Sequence, residues 1–441
     1  MNSDKAVEVI ESIEDAPELS EHEREVEKSL VRKIDIRFIP VTILIYLLYY
    51  LDRNAKILNS DTGDDILQTL SLSNHAYVVA LMVFLVAYSV FEVPSNLALK
   101  IISPAKWISF LVIAFGSFCT GIGGVQDATS LTVLRFFLGA AEAGVFPGLM
   151  YYFTFWYKPS ERAFRIACFL CSATLAGAFG GCIAYGVGHM NGVLGLQAWR
   201  WLFIVEGAPT VFLGICLIFL LPSYPEDVSW LTAKNKVFNS QQKINWKDAK
   251  AILLDLSMYG HYLAYTGVGC GVASLSLFAP TIIQGLGYRG LHAQLFTVPP
   301  YAVAYVCTML AAYASDRYEM RGLIAAVLPG ERFTGRYALL IFATSGVFAA
   351  LPSLNAWVGD NATNTTCMSL VFACNVAFSG PGQIAGVWIY RSQDAPLYRL
   401  GHGVNAGFTA LACSLSFVLY FYYRGLNKKM ALQVYGQCWM E

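Results

Sequence analysis

Two ionisable residues, Arg135 and Glu142, stand inside an apolar run that reaches from Leu131 to Phe153. They are seven residues apart, about two helical turns and roughly 10 Å of rise, so they share one face of a helix. Gly139, one turn beyond Arg135, opens a gap on that face. An ionisable group at mid-bilayer costs about 2.5–3.5 kcal/mol on insertion scales, so such groups mark function by default. The chemistry they suit is proton coupling. A substrate anion that competes for the arginine favours protonation of the carboxylate, a direct route from binding to proton uptake. The structural alternative is an arginine that caps carbonyls or pairs with a neighbouring span.

A second pair, Asp52 and Arg53, closes the first apolar run. Neighbours on a helix point about 100° apart, so the two serve different partners. Asp52 can accept a proton, and the guanidinium fork of Arg53 can clamp a carboxylate through two parallel hydrogen bonds. The alternative is a salt-bridged pair near the membrane edge. Glu92 and Asn96 flank Pro94, which can kink a helix, and read as gating or packing polarity. Tyr49 and Tyr50 could line a cavity or simply pack. Ser274, Ser276 and Asn375 could donate to a substrate from the second half of the chain, and Glu206 reads as structural.

These residues need a membrane bundle to hold them. Of 441 residues, 56% are hydrophobic and only 14% charged, far from the quarter expected of a soluble domain. Many separate apolar runs predict an all-α polytopic membrane protein. The runs fall near 38–51, 76–99, 107–124, 131–153, 166–187, 202–221, 258–283, 295–314, 337–358, 368–390 and 403–423. That is about eleven spans. Residues 1–32 are acidic and read as a disordered cytoplasmic tail with no signal peptide. Residues 33–221 form a six-helix half, 222–255 a lysine-rich cytoplasmic loop, 256–426 a second helical half and 427–441 a cytoplasmic tail. Basic residues gather in the loops that share a side with the N-terminus, which predicts a cytoplasmic N-terminus. Span five is glycine-rich, which suits close helix approach.

Net formal charge is zero, so nothing favours nucleic acid. Cys168 and Cys171 form a CxxC with no second pair, which points away from metal. No nucleophile–base pair or phosphate-binding glycine loop stands out, so no enzyme is expected. Asn361 and Asn364 open glycosylation sequons. In a twelve-span topology they are cytoplasmic and unused; with one span lost they face outside.

The two-half pattern, the basic central loop and Asp316-Arg317 with Arg321 after span eight resemble the major facilitator superfamily. Narrower stretches resemble its fungal anion:cation symporters, the group that includes allantoate, nicotinate and pantothenate permeases. They are Tyr49 to Arg53, Glu92 to Asn96, Arg135 with Gly139, Glu142 and Gly144, Trp199 to Trp201 with Glu206-Gly207, Thr297 to Tyr301, Asp394 to Pro396 and Gly401 to Gly403. The family's ninth span has no counterpart beyond a stub at Leu323 to Leu328.

The resemblance implies a two-half helical bundle that moves a small organic carboxylate with protons. Asp52 and Glu142 would couple protons; Arg53, Arg135, Tyr50 and Asn375 would bind substrate; Asp316, Arg317, Arg321 and Glu92 would gate. Protons would be the coupling ion, with no cofactor, and the protein would be a plasma-membrane monomer. A non-transporting nutrient sensor or degenerate paralogue, and a proton-independent facilitator or exchanger, are the alternatives.

Overall fold

The computed structural model describes residues 21–54, 65–157, 159–225, 228, 246–285, 288, 290–318, 336–362, 365–394 and 398–433. Among the described residues there is helix and no strand. Among these residues eleven helical stretches are long and apolar enough to cross a membrane.

The first half comprises α1 (Glu21–Asn54), α2 (Asn74–Ile101), α3 (Pro104–Ile122), α4 (Ala128–Glu142), α5 (Val145–Trp156), α6 (Pro159–Gly188) and α7 (Ala198–Leu220). A short helix, α8 (Trp246–Leu254), ends the central linker. The second half comprises α9 (Leu256–Gly285), α10 (Gly290–Leu295), α11 (Val298–Tyr318), α12 (Arg336–Asp360), α13 (Thr365–Trp388) and α14 (Arg399–Gln433).

Three boundaries differ from expectation. The tail expected over residues 1–32 is helical from Glu21 onward, and Ile34 and Phe38 in the same helix are buried. Acidic residues at this N-terminus suit the helix dipole. The last helix passes the expected edge at residue 426 and runs to Gln433. The single fourth span is two helices, α4 and α5, that part at Ala143 and Gly144. Gly144 is small because the break meets Ser95: an added Cβ would collide with its hydroxyl.

Asp127 fixes where α4 starts. Its side chain accepts from the Ser130 amide at 2.8 Å, and Ser130 answers in a capping box. The Ser130 hydrogen bonds hold the Asp127 carboxyl below the usual carboxylate range. Each half is then locked by glycines at helix crossings. In α4, a Cβ on Gly139 would strike the Phe84 carbonyl of α2. Between α3 and α7, one on Gly116 would lie 2.8 Å from Val211 N, and one on Gly214 2.8 Å from Ile113 N.

Contacts to α9 fix the directions of α12, α13 and α14. Tyr265 meets Asn355 and His261 meets Trp357, so α9 and α12 are antiparallel. Tyr262 stacks on Phe378, and a Cβ on Gly386 would strike the Cys270 carbonyl, so α9 and α13 are parallel. His261 meets Tyr423 and Cys270 meets Asn405, so α9 and α14 are antiparallel.

One consequence concerns the missing ninth span. Tyr337, at the start of α12, donates to the Phe296 carbonyl at 2.8 Å, just before α11 begins. Further along, Phe348 meets Tyr301 at 5.7 Å. Helices α11 and α12 therefore run parallel, so α11 ends and α12 begins at opposite ends of the bundle. The Asn361 turn consequently lies at the end that also carries the central linker, the side of a twelve-span arrangement. Losing a span does not invert the helices that follow. The stub at Leu323 to Leu328 lies outside the described residues.

The halves meet along two antiparallel seams. On one, α2 crosses α13. His75 meets Trp388 at one end, and a Cβ on Gly380 would strike Ser89 midway. At the linker end Asn96 Nδ2 donates to Ser369 O at 2.6 Å and to its Oγ at 3.0 Å. On the other, α6 lies on α10 and α11. Cβ atoms on Gly177, Gly181 and Gly188 would run into Tyr301, Thr297 and Leu291, which is why span five is built of glycine.

Candidate functional site

The last turns of α1 and α3, α4 and the first half of α7 converge on a group of charged side chains. Asp52 and Glu142 are fully buried, Arg135 is 2% exposed and Glu206 is 3% exposed. Asp52 lies against the Thr210 hydroxyl and the Cys119 thiol. Both of those donors are engaged elsewhere. Thr210 donates to the Glu206 carbonyl at 2.8 Å, and Cys119 Sγ to the Phe203 carbonyl at 3.8 Å. Neither Asp52 oxygen receives a hydrogen bond among the described residues.

Arg135 sets its guanidinium 5.5 Å from the centre of the Phe203 ring, a cation–π distance. Its Nη1 has no hydrogen-bond partner among the described residues. Glu206 feels the charges of both Asp52 and Arg135, and Cys119 feels all four charged groups. One guanidinium thus shares a low-dielectric interior with three carboxylates. It can neutralise one of them. A second or third buried negative charge is expensive unless it is paired or carries a proton.

Next to this group a cleft lies between the halves. One wall is α1, α6 and α7, with Leu51, Gly180 and Glu206. The other is α9 and the α10–α11 corner, with Ser276, Gln294 and Tyr301. All of these lie toward the end away from the central linker. Of the four buried charged groups only Glu206 reaches the cleft wall; Asp52, Arg135 and Glu142 stand behind it.

The other candidates divide. Tyr50 is buried where the halves meet, its hydroxyl 3.4 Å from Ser276 Oγ and its ring against Phe348. Asn375 is buried within the second half, where its Nδ2 donates to Asn355 Oδ1 and Asn355 in turn donates to Tyr265. Glu92 is buried on the α2–α13 seam and acts electrostatically on Cys374. Arg53 belongs to the last turn of α1, and Asp316 and Arg317 to the last turn of α11; their side chains lie outside the described residues, as does Arg321 entirely.

Sequence reasoning passed over two members. Glu206, expected to be structural from its place near the outer end of span six, lies on the cleft wall. Cys119 looked like one of many span cysteines. The signal available for Glu206 was its burial face: it lies one turn before Thr210 and next to Gly207, which packs α7 on α3.

Comparison with known proteins decides the family. The family model described as Major Facilitator Superfamily matches residues 42–420. The chain belongs to that superfamily. The MFS transporter prlL of the fungal strain NRRL 50135 is 45% identical, with 98% of this chain and 94% of the relative covered. That alignment spans 466 residues, more than the whole of this chain, so the relative carries stretches that this chain lacks. An Agrobacterium vitis protein, named provisionally as a tartrate transporter, is 32% identical with 82% and 84% covered. A crystal structure of a bacterial homologue of the human lysosomal transporter Spinster superposes with a TM-score of 0.61. It covers 87% of this chain and 95% of its own at 17% identity, a likeness of fold. The protein is thus an integral membrane transporter for small molecules, not an enzyme.

Proposed function

We propose that this superfamily member is a proton-coupled symporter of a small organic carboxylate. The observation that carries the reading is the buried group of Asp52, Arg135, Glu142 and Glu206 beside the inter-half cleft, with atoms on Asp52, Arg135 and Glu206 that have no hydrogen-bond partner among the described residues. A substrate anion drawn toward Arg135 weakens the hold of that cation on the carboxylates, which then take up protons. Proton entry supplies about 2.3 kcal/mol per charge per 100 mV, enough to offset entry of an anion. Rocking of the two halves about the cleft alternates access. The provisional tartrate assignment of the Agrobacterium vitis relative agrees with a carboxylate substrate. The lysine-rich central linker agrees with a cytoplasmic N-terminus, and the proposed setting is a plasma-membrane monomer.

The test is uptake of labelled tartrate, nicotinate, pantothenate and allantoate by cells that lack their own permeases, at acidic pH. Accumulation that a protonophore abolishes supports the reading. Accumulation that ignores the protonophore refutes the coupling, and surface-localised protein that moves none of these acids refutes the substrate class.

A further inference from the structure

Two buried residues line the cleft from opposite halves, and each holds one buried polar side-chain atom with no partner among the described residues. Glu206 offers the acceptor Oε2 from α7; Gln294 offers the donor Nε2 from α10. Each residue is 3% exposed. The Gln294 backbone is pinned in place. Thr297 Oγ1 donates to its carbonyl at 2.6 Å, and Gly181 of α6 lies so close that an added Cβ would come within 2.8 Å of that same oxygen. Buried donors and acceptors are nearly always satisfied, so an orphan of each kind in one cleft points to a guest that completes both.

Resting on the transporter reading above, we propose that Glu206 and Gln294 form a subsite for a hydroxyl group on the transported solute. The hydroxyl donates its proton to Glu206 Oε2 and accepts from Gln294 Nε2–H. The match is chemical. A carboxylate in this position would accept from Gln294 but has no proton to donate to Glu206 Oε2. An ammonium would satisfy Glu206 and leave Gln294 without an acceptor. A methyl group would leave both atoms unpaired. A hydroxyl both donates and accepts, and because the walls belong to different halves, filling the subsite ties the halves together. A site built around such groups rejects the analogue that lacks the hydroxyl, since its own polar atoms are then stranded.

The test uses matched acids that differ only by hydroxyl groups, added to the purified full chain in detergent and read as thermal stabilisation. The pairs are malate against succinate and lactate against propionate, with erythritol as a hydroxyl-rich solute that has no carboxylate. The hydroxylated member of each pair is expected to reach half-saturation at roughly five- to tenfold lower concentration. Gln294→Met keeps the size and removes the donor; Gln294→Leu removes it with a branched apolar side chain. In either variant that elutes as folded protein, the ratio falls to about one. A ratio near one in the parent chain, or one unchanged in both variants, overturns the subsite. Hydroxyl-blind binding of the acids overturns the subsite and keeps the carboxylate reading. Stabilisation by erythritol that depends on Gln294, with none by any acid, keeps the subsite and overturns the carboxylate reading. No stabilisation by any solute overturns the subsite.

Discussion

Asn96→Ala isolates one link between the halves. Asn96 Nδ2 makes two cross-half donations to Ser369, at 2.6 and 3.0 Å, in a buried seam at the linker end. Interhelical hydrogen bonds in membranes average about 0.6 kcal/mol and reach about 1.7, so the pair contributes roughly 1–2 kcal/mol to the state seen here. Part of that is offset. Asn96 Oδ1 is buried without a partner among the described residues, and alanine removes that unfavourable atom as well. The net expectation is about 1 kcal/mol, a shift of roughly fivefold toward separation of the linker ends. Spin labels at Ile101→Cys and Leu254→Cys would read it, both residues being well exposed, one at the end of α2 and one in α8, which packs on α13. The long-distance population should rise about fivefold in Asn96→Ala. It should rise less in Ser369→Ala, where the bond to the Ser369 carbonyl survives. An unchanged distance distribution in Asn96→Ala would refute the idea that this bond holds the linker end closed.

Three further outcomes follow from the packing and the site. Arg135→Ala should leave the protein in the membrane and abolish substrate accumulation; full accumulation by that variant would remove Arg135 from the site. Gly139→Val should lower thermal stability by several degrees, because its new side chain meets the rigid Phe84 backbone and overpacking of this kind costs about 1–3 kcal/mol. Gly407→Ala, with nothing within 4 Å, should melt with the parent; similar melting of all three proteins would contradict the crossing described for α2 and α4. Finally, glycosidase treatment should not change gel mobility, since the Asn361 turn shares an end with the central linker. A mobility shift that is lost in Asn361→Gln would put that end outside the cell.

The spans and the two halves were legible in the sequence because a bilayer imposes a length and an apolarity that few other settings demand. Arg135 and Glu142 stood out for the same reason. What could not be read was the partnering. Glu206 differs from a structural glutamate only in lying on the cleft wall, a property set by α6, α9 and α10 together. Counting spans also left the direction of α12 open, and its pairing with α9 through Tyr265 and His261 settled it. The disordered tail was overdrawn at residues 21–32 because composition alone cannot tell a solvated acidic coil from a charged helical extension of α1.

The absent ninth span bears on whether such a chain can still transport. In the first half α7 rests on α3 through the close crossings at Gly116, Gly207 and Gly214. Its counterpart α14 rests on α9, where a Cβ on Gly267 would strike the Phe408 carbonyl, and is otherwise thinly packed among the described residues. Gly403 and Gly407 meet nothing within 4 Å, Val418 and Phe421 are exposed, and α14 is the least buried of the eleven stretches. Yet the cleft draws its lining from α1, α6, α7, α9 and the α10–α11 corner, and the charged group from α1, α4 and α7. Helix α14 contributes to neither. The vacancy therefore falls on the periphery, where lipid can satisfy apolar side chains and a helix satisfies its own backbone. Its cost is packing in the second half, and the residues that face the cleft remain in place.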